Sequence, residues 1–158
     1  MLKKKIKYTD YNGIEREEEF LFNLTKAELM EMQMGTNGGL AEMIASLVTT
    51  QNMPEIIRIF KDIILKAYGE KSLDGKRFMK VDEKGNPLSI AFSQTEAFSN
   101  LFVELASNSK AAADFVNGII PSDMEVSEEQ QKEIEAQLLG NSIVEQPAVL
   151  ENTQNVSE

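Results

Sequence analysis

The sequence contains no cysteine and no histidine. Without cysteine there is no disulfide, no thiolate nucleophile and no thiolate metal site. Without histidine there is no imidazole base, which excludes every catalytic triad that needs one and most zinc and haem sites. Basic charge is also scarce: 16 Lys and Arg stand against 26 Asp and Glu, for a net charge of −10. Such a balance argues against a nucleic-acid partner. No apolar run approaches the roughly 20 residues of a membrane span, so no membrane partner is expected. Met1-Leu2-Lys3-Lys4-Lys5 is basic, but no apolar stretch follows, so it does not read as a signal peptide. What is present is 158 residues with 42% apolar and 27% charged side chains. That is the composition of one soluble domain with room for a tail. The lack of cysteine fits a reducing cytoplasm.

The charge is unevenly placed. From position 121 to the end there are nine acids against Lys132 alone, and no aromatic residue. The first 120 residues are nearly balanced at −2. A segment of that kind cannot bury enough apolar surface to offset its ordering entropy. The reading is a domain over 1–120 and an acidic, flexible tail over 121–158. Inside the tail, Ser127-Glu128-Glu129-Gln130 reads as a capping box for a short helix to about Leu139, stopped by Gly140. Most acidic tails only keep a protein soluble; the alternative is an arm that folds on a partner.

The N-terminus has strand character. Lys4, Ile6 and Tyr8 alternate with Lys5, Lys7 and Thr9, and a second run covers Glu15 to Phe22. Asn12-Gly13 between them predicts a type I′ hairpin turn. Lys3, Lys4, Lys5 and Lys7 would then face Glu15, Glu17, Glu18 and Glu19 across the pair. A lone hairpin is marginal, so it must pack on something.

Helical patterns supply the rest. Thr25-Lys26-Ala27-Glu28 is a capping box, with Leu24 as a possible hydrophobic staple, opening a helix to about Met34. Gly35 to Gly39 breaks it. A second helix is expected over about 40–50, with Leu40, Met43, Ile44 and Leu47 on one face. A third runs from Pro54 to about Tyr68, with Ile56, Ile57, Phe60, Ile63, Ile64 and Ala67 as a wide buried face. That face packs internally or across a dimer or ring, and the pattern leaves a homo-oligomer open. Residues 70–91 are turn-rich, with a short strand expected within Arg77–Val81. Ser93-Gln94-Thr95-Glu96 reads as a capping box for a fourth helix that buries Ala97, Phe98, Leu101, Phe102, Leu105 and Ala106. A fifth, Lys110 to about Gly118, carries Ala111, Ala112, Phe115 and Val116. The fold class is mainly α, a small α+β arrangement. A β-hairpin packs on a bundle of about five short helices.

Chemistry is hard to find. Five residues lie between Gly69 and Gly75, where a phosphate loop has four, and Arg77 follows Lys76, so the stretch fails the pattern and reads as a turn. Asp82 to Asn86 lacks the ligand spacing of a calcium loop and reads as a β-turn. No pair of carboxylates stands out for general acid–base work. No catalytic, cofactor or metal residue is nominated, and the chain is not expected to be an enzyme. Methionine, in contrast, is abundant: eight in all, with Met30, Met32, Met34, Met43 and Met53 clustered between positions 30 and 53. Such residues fill gaps around short helices, or they form an adaptable surface that accepts a partner helix. Met30 and Met34 share one helix face while Met32 points elsewhere, so at least one is exposed. Met30, Met34, Met43 and Leu47 are the candidate partner-binding residues.

Four stretches occur in a characteristic order. They are Phe22-Asn23-Leu24-Thr25-Lys26-Ala27-Glu28, Tyr68-Gly69-Glu70-Lys71-Ser72, Asp74-Gly75-Lys76-Arg77-Phe78 and Phe92-Ser93-Gln94-Thr95-Glu96-Ala97-Phe98. In this order and spacing the segment from Tyr8 to Pro121 resembles tail assembly chaperones of long-tailed phages and prophages of Gram-positive bacteria. The resemblance implies a small, mostly helical, acidic protein without catalytic activity. It implies binding to the long tape measure protein, solubilisation of its apolar helices, and recruitment of tail tube subunits. It implies residence in the host cytoplasm and absence from the finished virion. It also implies that a longer, frameshifted form can exist. The competing class is a structural virion protein, such as a tail or head–tail connector subunit.

Overall fold

The computed structural model describes residues 1–35 and 53–122. The expected helix at 40–50, the glycine break, Met43, Leu47 and the tail helix lie outside the described residues.

The hairpin forms from β1 (Leu2–Thr9) and β2 (Glu15–Phe22), paired antiparallel from Leu2↔Phe22 to Thr9↔Glu15. The turn differs from the two-residue type I′ expectation. Gly13 N–H donates to Asp10 O at 2.9 Å and Asp10 N–H donates to Ile14 O at 2.9 Å, so Tyr11 and Asn12 sit at the turn's centre. Gly13 follows them with φ of +79°, where a side chain would be strained. The reason is Asp10. Its Oδ1 accepts from the N–H groups of Asn12 at 2.9 Å and Ile14 at 3.0 Å, fixing a five-residue loop. Its Oδ2 takes Arg16 Nε at 2.6 Å.

The same device recurs at Asp82, whose Oδ1 accepts from Lys84 N–H at 2.8 Å and Asn86 N–H at 2.9 Å. Asp74 makes a relative of it, taking Ser72 Oγ–H at 2.6 Å and Lys76 N–H at 3.1 Å. Both segments are therefore turns, as their sequences suggest. All three aspartates are held below the ordinary carboxylate range. The main causes are the Ile14 N–H and Arg16 at Asp10, the Ser72 hydroxyl at Asp74, and Asn86 at Asp82. A depressed folded pKa contributes stability that is complete above the unfolded value and lost as pH falls through the folded one. The loss therefore falls below about pH 4. In the triple variant Asp10→Asn, Asp74→Asn, Asp82→Asn, urea unfolding followed across that range should show a shallower acid decline. An unchanged decline would mean that these turns are not its source.

Two further strands extend the hairpin into a four-stranded sheet of order β1-β2-β3-β4. They are β3 (Tyr68–Lys71) and β4 (Phe78–Met79). β4 lies inside the expected strand, with Val81↔Pro87 as a separate bridge. β3 continues directly from a helix and was not foreseen. Its close approach to β4 needs Gly69: a Cβ there would sit 2.5 Å from the Phe78 ring and 2.6 Å from Met79 O.

Five helices complete the described fold: α1 (Lys26–Gly35), α2 (Met53–Ala67), α3 (Leu88–Ser93), α4 (Glu96–Ser107) and α5 (Ser109–Ile119). The hairpin-plus-helices class of the sequence reading is thus what forms. α3 replaces part of the expected turn region. The cap of α4 shifts with it: Thr95 Oγ1 accepts from Phe98 N–H at 3.2 Å, whereas Ser93 Oγ–H bonds back to Ile90 O at 2.7 Å. Ser93 ends one helix; Thr95 begins the next. Asn108 caps α5 by accepting from Ala111 N–H at 3.0 Å.

The core gathers the buried stripes. α2 buries Ile59, Phe60, Ile63, Ile64 and Ala67, but Ile57 is exposed, because the buried stripe is rotated towards Ile59. α4 buries Ala97, Phe98, Leu101 and Leu105, leaving Phe102 half-buried and Ala106 exposed. α5 buries Ala112, Phe115, Val116 and Ile119. Ile6 and Phe22 meet them from the sheet. The opposite sheet face is charged. Lys5↔Glu19 and Lys7↔Glu17 are directly opposite, as the sequence suggested, but Lys4 instead reaches Glu104 of α4 at 2.6 Å. Lys4 lies on the helix-facing side, which removes it from the charged ladder.

Candidate partner-binding surface

The placement of α1 is decided by the three residues after β2. Asn23 N–H donates to Ala67 O at 2.7 Å, and Leu24 N–H donates to Ile119 O at 2.8 Å. Two helix C-termini, whose last carbonyls lack intrahelical partners, are thereby satisfied by adjacent backbone groups. Thr25 then opens α1. Its N–H donates to Glu28 Oε2 at 2.7 Å, and Glu28 N–H donates to Thr25 Oγ1 at 3.2 Å. Both halves of the expected capping box are present. Leu24 and Leu29 are both buried in the same apolar cluster, as a staple across the helix start requires.

Lys80 locks this junction. Its Nζ donates to Asn23 O at 2.8 Å and to Lys66 O, and pairs with Glu28 at 3.2 Å. It also lies 5.4 Å from the centre of the Phe78 ring. Burial pulls Lys80 below the ordinary lysine range, and Glu28 partly offsets that. One ammonium thus joins β2's exit, the end of α2 and the start of α1. Nothing in the sequence pattern marks Lys80, because its partners lie 14 to 57 positions away.

With its root fixed, α1 shows apolar residues on both sides. Leu29 and Met32 enter the core. Met30 and Met34, one turn apart, are 51% and 82% exposed. These are the two described members of the nominated set, and the structure places both outward while Met32 turns inward. Glu31, Lys26 and Ala27 are exposed around them. Other exposed apolar side chains, such as Leu73, Ile90 and Val103, stand on different elements. Isolated exposure of that kind is ordinary, whereas two adjacent unbranched thioethers form an apolar step that can adapt to a partner.

No group of acids in the described residues is placed to hold a metal ion. No described helix is long and apolar enough to cross a membrane. The arrangement offers apolar contact on a rigidly rooted helix. A model of the phage tail assembly chaperone family matches residues 1–158. The chain belongs to that family. No curated protein and no solved structure matches it. Tail assembly chaperones act on phage tail proteins.

Proposed function

We propose that the protein binds the tape measure protein and keeps its apolar helices soluble during tail tube assembly, without catalysis. The reading places it in the cytoplasm of a Gram-positive host infected by, or carrying, a long-tailed phage, and outside the mature virion. It includes contact with the tail tube protein at the point of hand-over. The contact surface is Met30 and Met34 with Met43 and Leu47. The observation that carries the reading is the outward pair Met30 and Met34 on a helix whose root is locked by Lys80 and the Thr25–Glu28 box. A flexible, polarisable surface suits a client that presents many different apolar turns of helix. The acidic segment over 121–158 adds charge to a complex otherwise prone to aggregate.

The test is recovery of partners from an infected culture or an induced lysogen. Tagged protein should co-purify with a very long helical protein, and mass spectrometry of purified virions should find no tagged protein. Tagged protein at a constant ratio in virions would favour a structural subunit instead.

A further inference from the structure

Pairing between β2 and β3 is short: Leu21 stands opposite Gly69 and Phe22 opposite Tyr68, and there the register ends. Beyond these pairs the strands part. The gap is a cleft of about 670 Å³ whose lining includes Glu18, Glu19, Phe20, Tyr68 and Glu70. Asn23 N–H bonds to Ala67 O on the β3 side, so by alternation the odd-numbered residues of β2 turn their backbone groups that way. The backbone of Glu19 therefore faces the cleft, where β3 has no residue in register with it.

The cleft combines two chemistries. Phe20 and Tyr68 are half-buried rings, 6.4 Å apart with planes at 50°. Glu18 and Glu70 are exposed and, even-numbered like Phe20 and Tyr68, stand on the same sheet face as the rings. Glu18 takes the Tyr8 hydroxyl at 2.7 Å. Neither glutamate is paired with a cation among the described residues. Tyr8 and Tyr68 are both held above the ordinary phenol range. The cause at Tyr8 is chiefly its bond to Glu18, and at Tyr68 burial first, then the Glu70 and Glu18 carboxylates. The rings thus lie in a negative field. Ring faces beside unpaired carboxylates favour a cation. Among cations they favour a guanidinium, which is flat enough to lie on a ring while its N–H fork meets a carboxylate.

We propose that this cleft binds an arginine side chain of a partner protein, carried on an extended segment that bonds to the free backbone of Glu19. Strand and side-chain contacts act together. Backbone bonds set the segment's register, and the register sends alternate side chains to the face that holds the rings. An ammonium fits less well, being a strongly hydrated point charge without a plane. Lys71 also lines the cleft, but by alternation it belongs to the other face, with Gly69. The site shares no residue with Met30 and Met34, so it stands or falls apart from them.

Titrating the nitrogen-15-labelled full chain with a blocked peptide of alternating serine and threonine around one central arginine tests it. Amide signals of Glu18, Glu19, Tyr68 and Glu70 should shift saturably. The Glu19 amide should exchange more slowly in the complex. The variant Glu18→Gln, Glu70→Gln should bind the peptide about fivefold or more weakly. Its unfolding transition should stay in place, since both side chains are exposed. A peptide with lysine at the centre should bind several-fold more weakly, and one with glutamate should leave these amides unmoved. Absence of a saturable shift at these residues overturns the proposal. So does an equal response to the glutamate peptide, equal binding by the double variant, or equal binding of the lysine and arginine peptides. Unchanged exchange at Glu19 overturns the strand contact.

Discussion

Replacing Phe92 by alanine should lower the unfolding free energy by about 3–5 kcal/mol, the range for a fully buried phenylalanine. Phe92 is 3% exposed, and its ring meets rings from three other elements. It stacks on Tyr68 of β3 with centres 4.1 Å apart and planes 14° from parallel. It meets Phe20 and Phe22 of β2 at 5.2 and 5.8 Å, and Phe98 of α4 at 5.6 Å. Such ring pairs add about 0.5–1.5 kcal/mol beyond area burial. Their loss also leaves a cavity between sheet and helices that rigid neighbours cannot close. Urea unfolding measures the effect. Ile90→Ala, on the same helix at 54% exposure, is the control and should change stability by less than about 0.5 kcal/mol. A cost below about 1 kcal/mol at Phe92 would mean that the aromatic cluster does not organise the core.

Lys80→Met should cost about 2–4 kcal/mol, although methionine nearly matches the lysine stem in size. The loss is in partners. Asn23 O and Lys66 O lose their donor, and an unpaired, partly buried carbonyl costs about 1–3 kcal/mol. Glu28 loses its ion pair but keeps its bonds to Thr25, so it adds little. The Lys80 side chain is 24% exposed, and water reaching the site reduces the total below the sum of its parts. Chemical unfolding gives the number. Hydrogen exchange adds a signature: amides of α1 should lose protection before those of α4. Uniform loss would show that Lys80 does not hold α1 in particular.

These two residues also show where sequence reasoning reached and where it stopped. The hairpin, the Thr25–Glu28 box and the stripes of α4 and α5 were legible because local spacing encodes them. Phe92 was not marked as core. α3 is only six residues long and follows Pro87 without a side-chain cap, so it carries no periodic signal. The turn at Asp10 was misread because Asn12-Gly13 is a strong local signal, yet the aspartate two positions earlier accepts from two N–H groups and dictates a longer loop. β3 and Lys80 depend on pairing across the chain, which no window of neighbouring residues contains. Within the nominated surface, the split between Met30 and Met34 on one side and Met32 on the other followed from helical spacing alone. That Ile57 faces solvent did not, because a wide apolar face does not say which flank is covered.

The most direct test of the functional account is co-expression of the cognate tape measure protein with this chain, scored by the fraction of client that stays soluble. Wild-type protein should keep most of the client soluble. The variant Met30→Gln, Met34→Gln should lose that protection at least several-fold. Its own unfolding transition should move little, since both side chains are 51% or more exposed. Equal solubilisation by the double variant, with its fold intact, would contradict α1 as the client-binding surface.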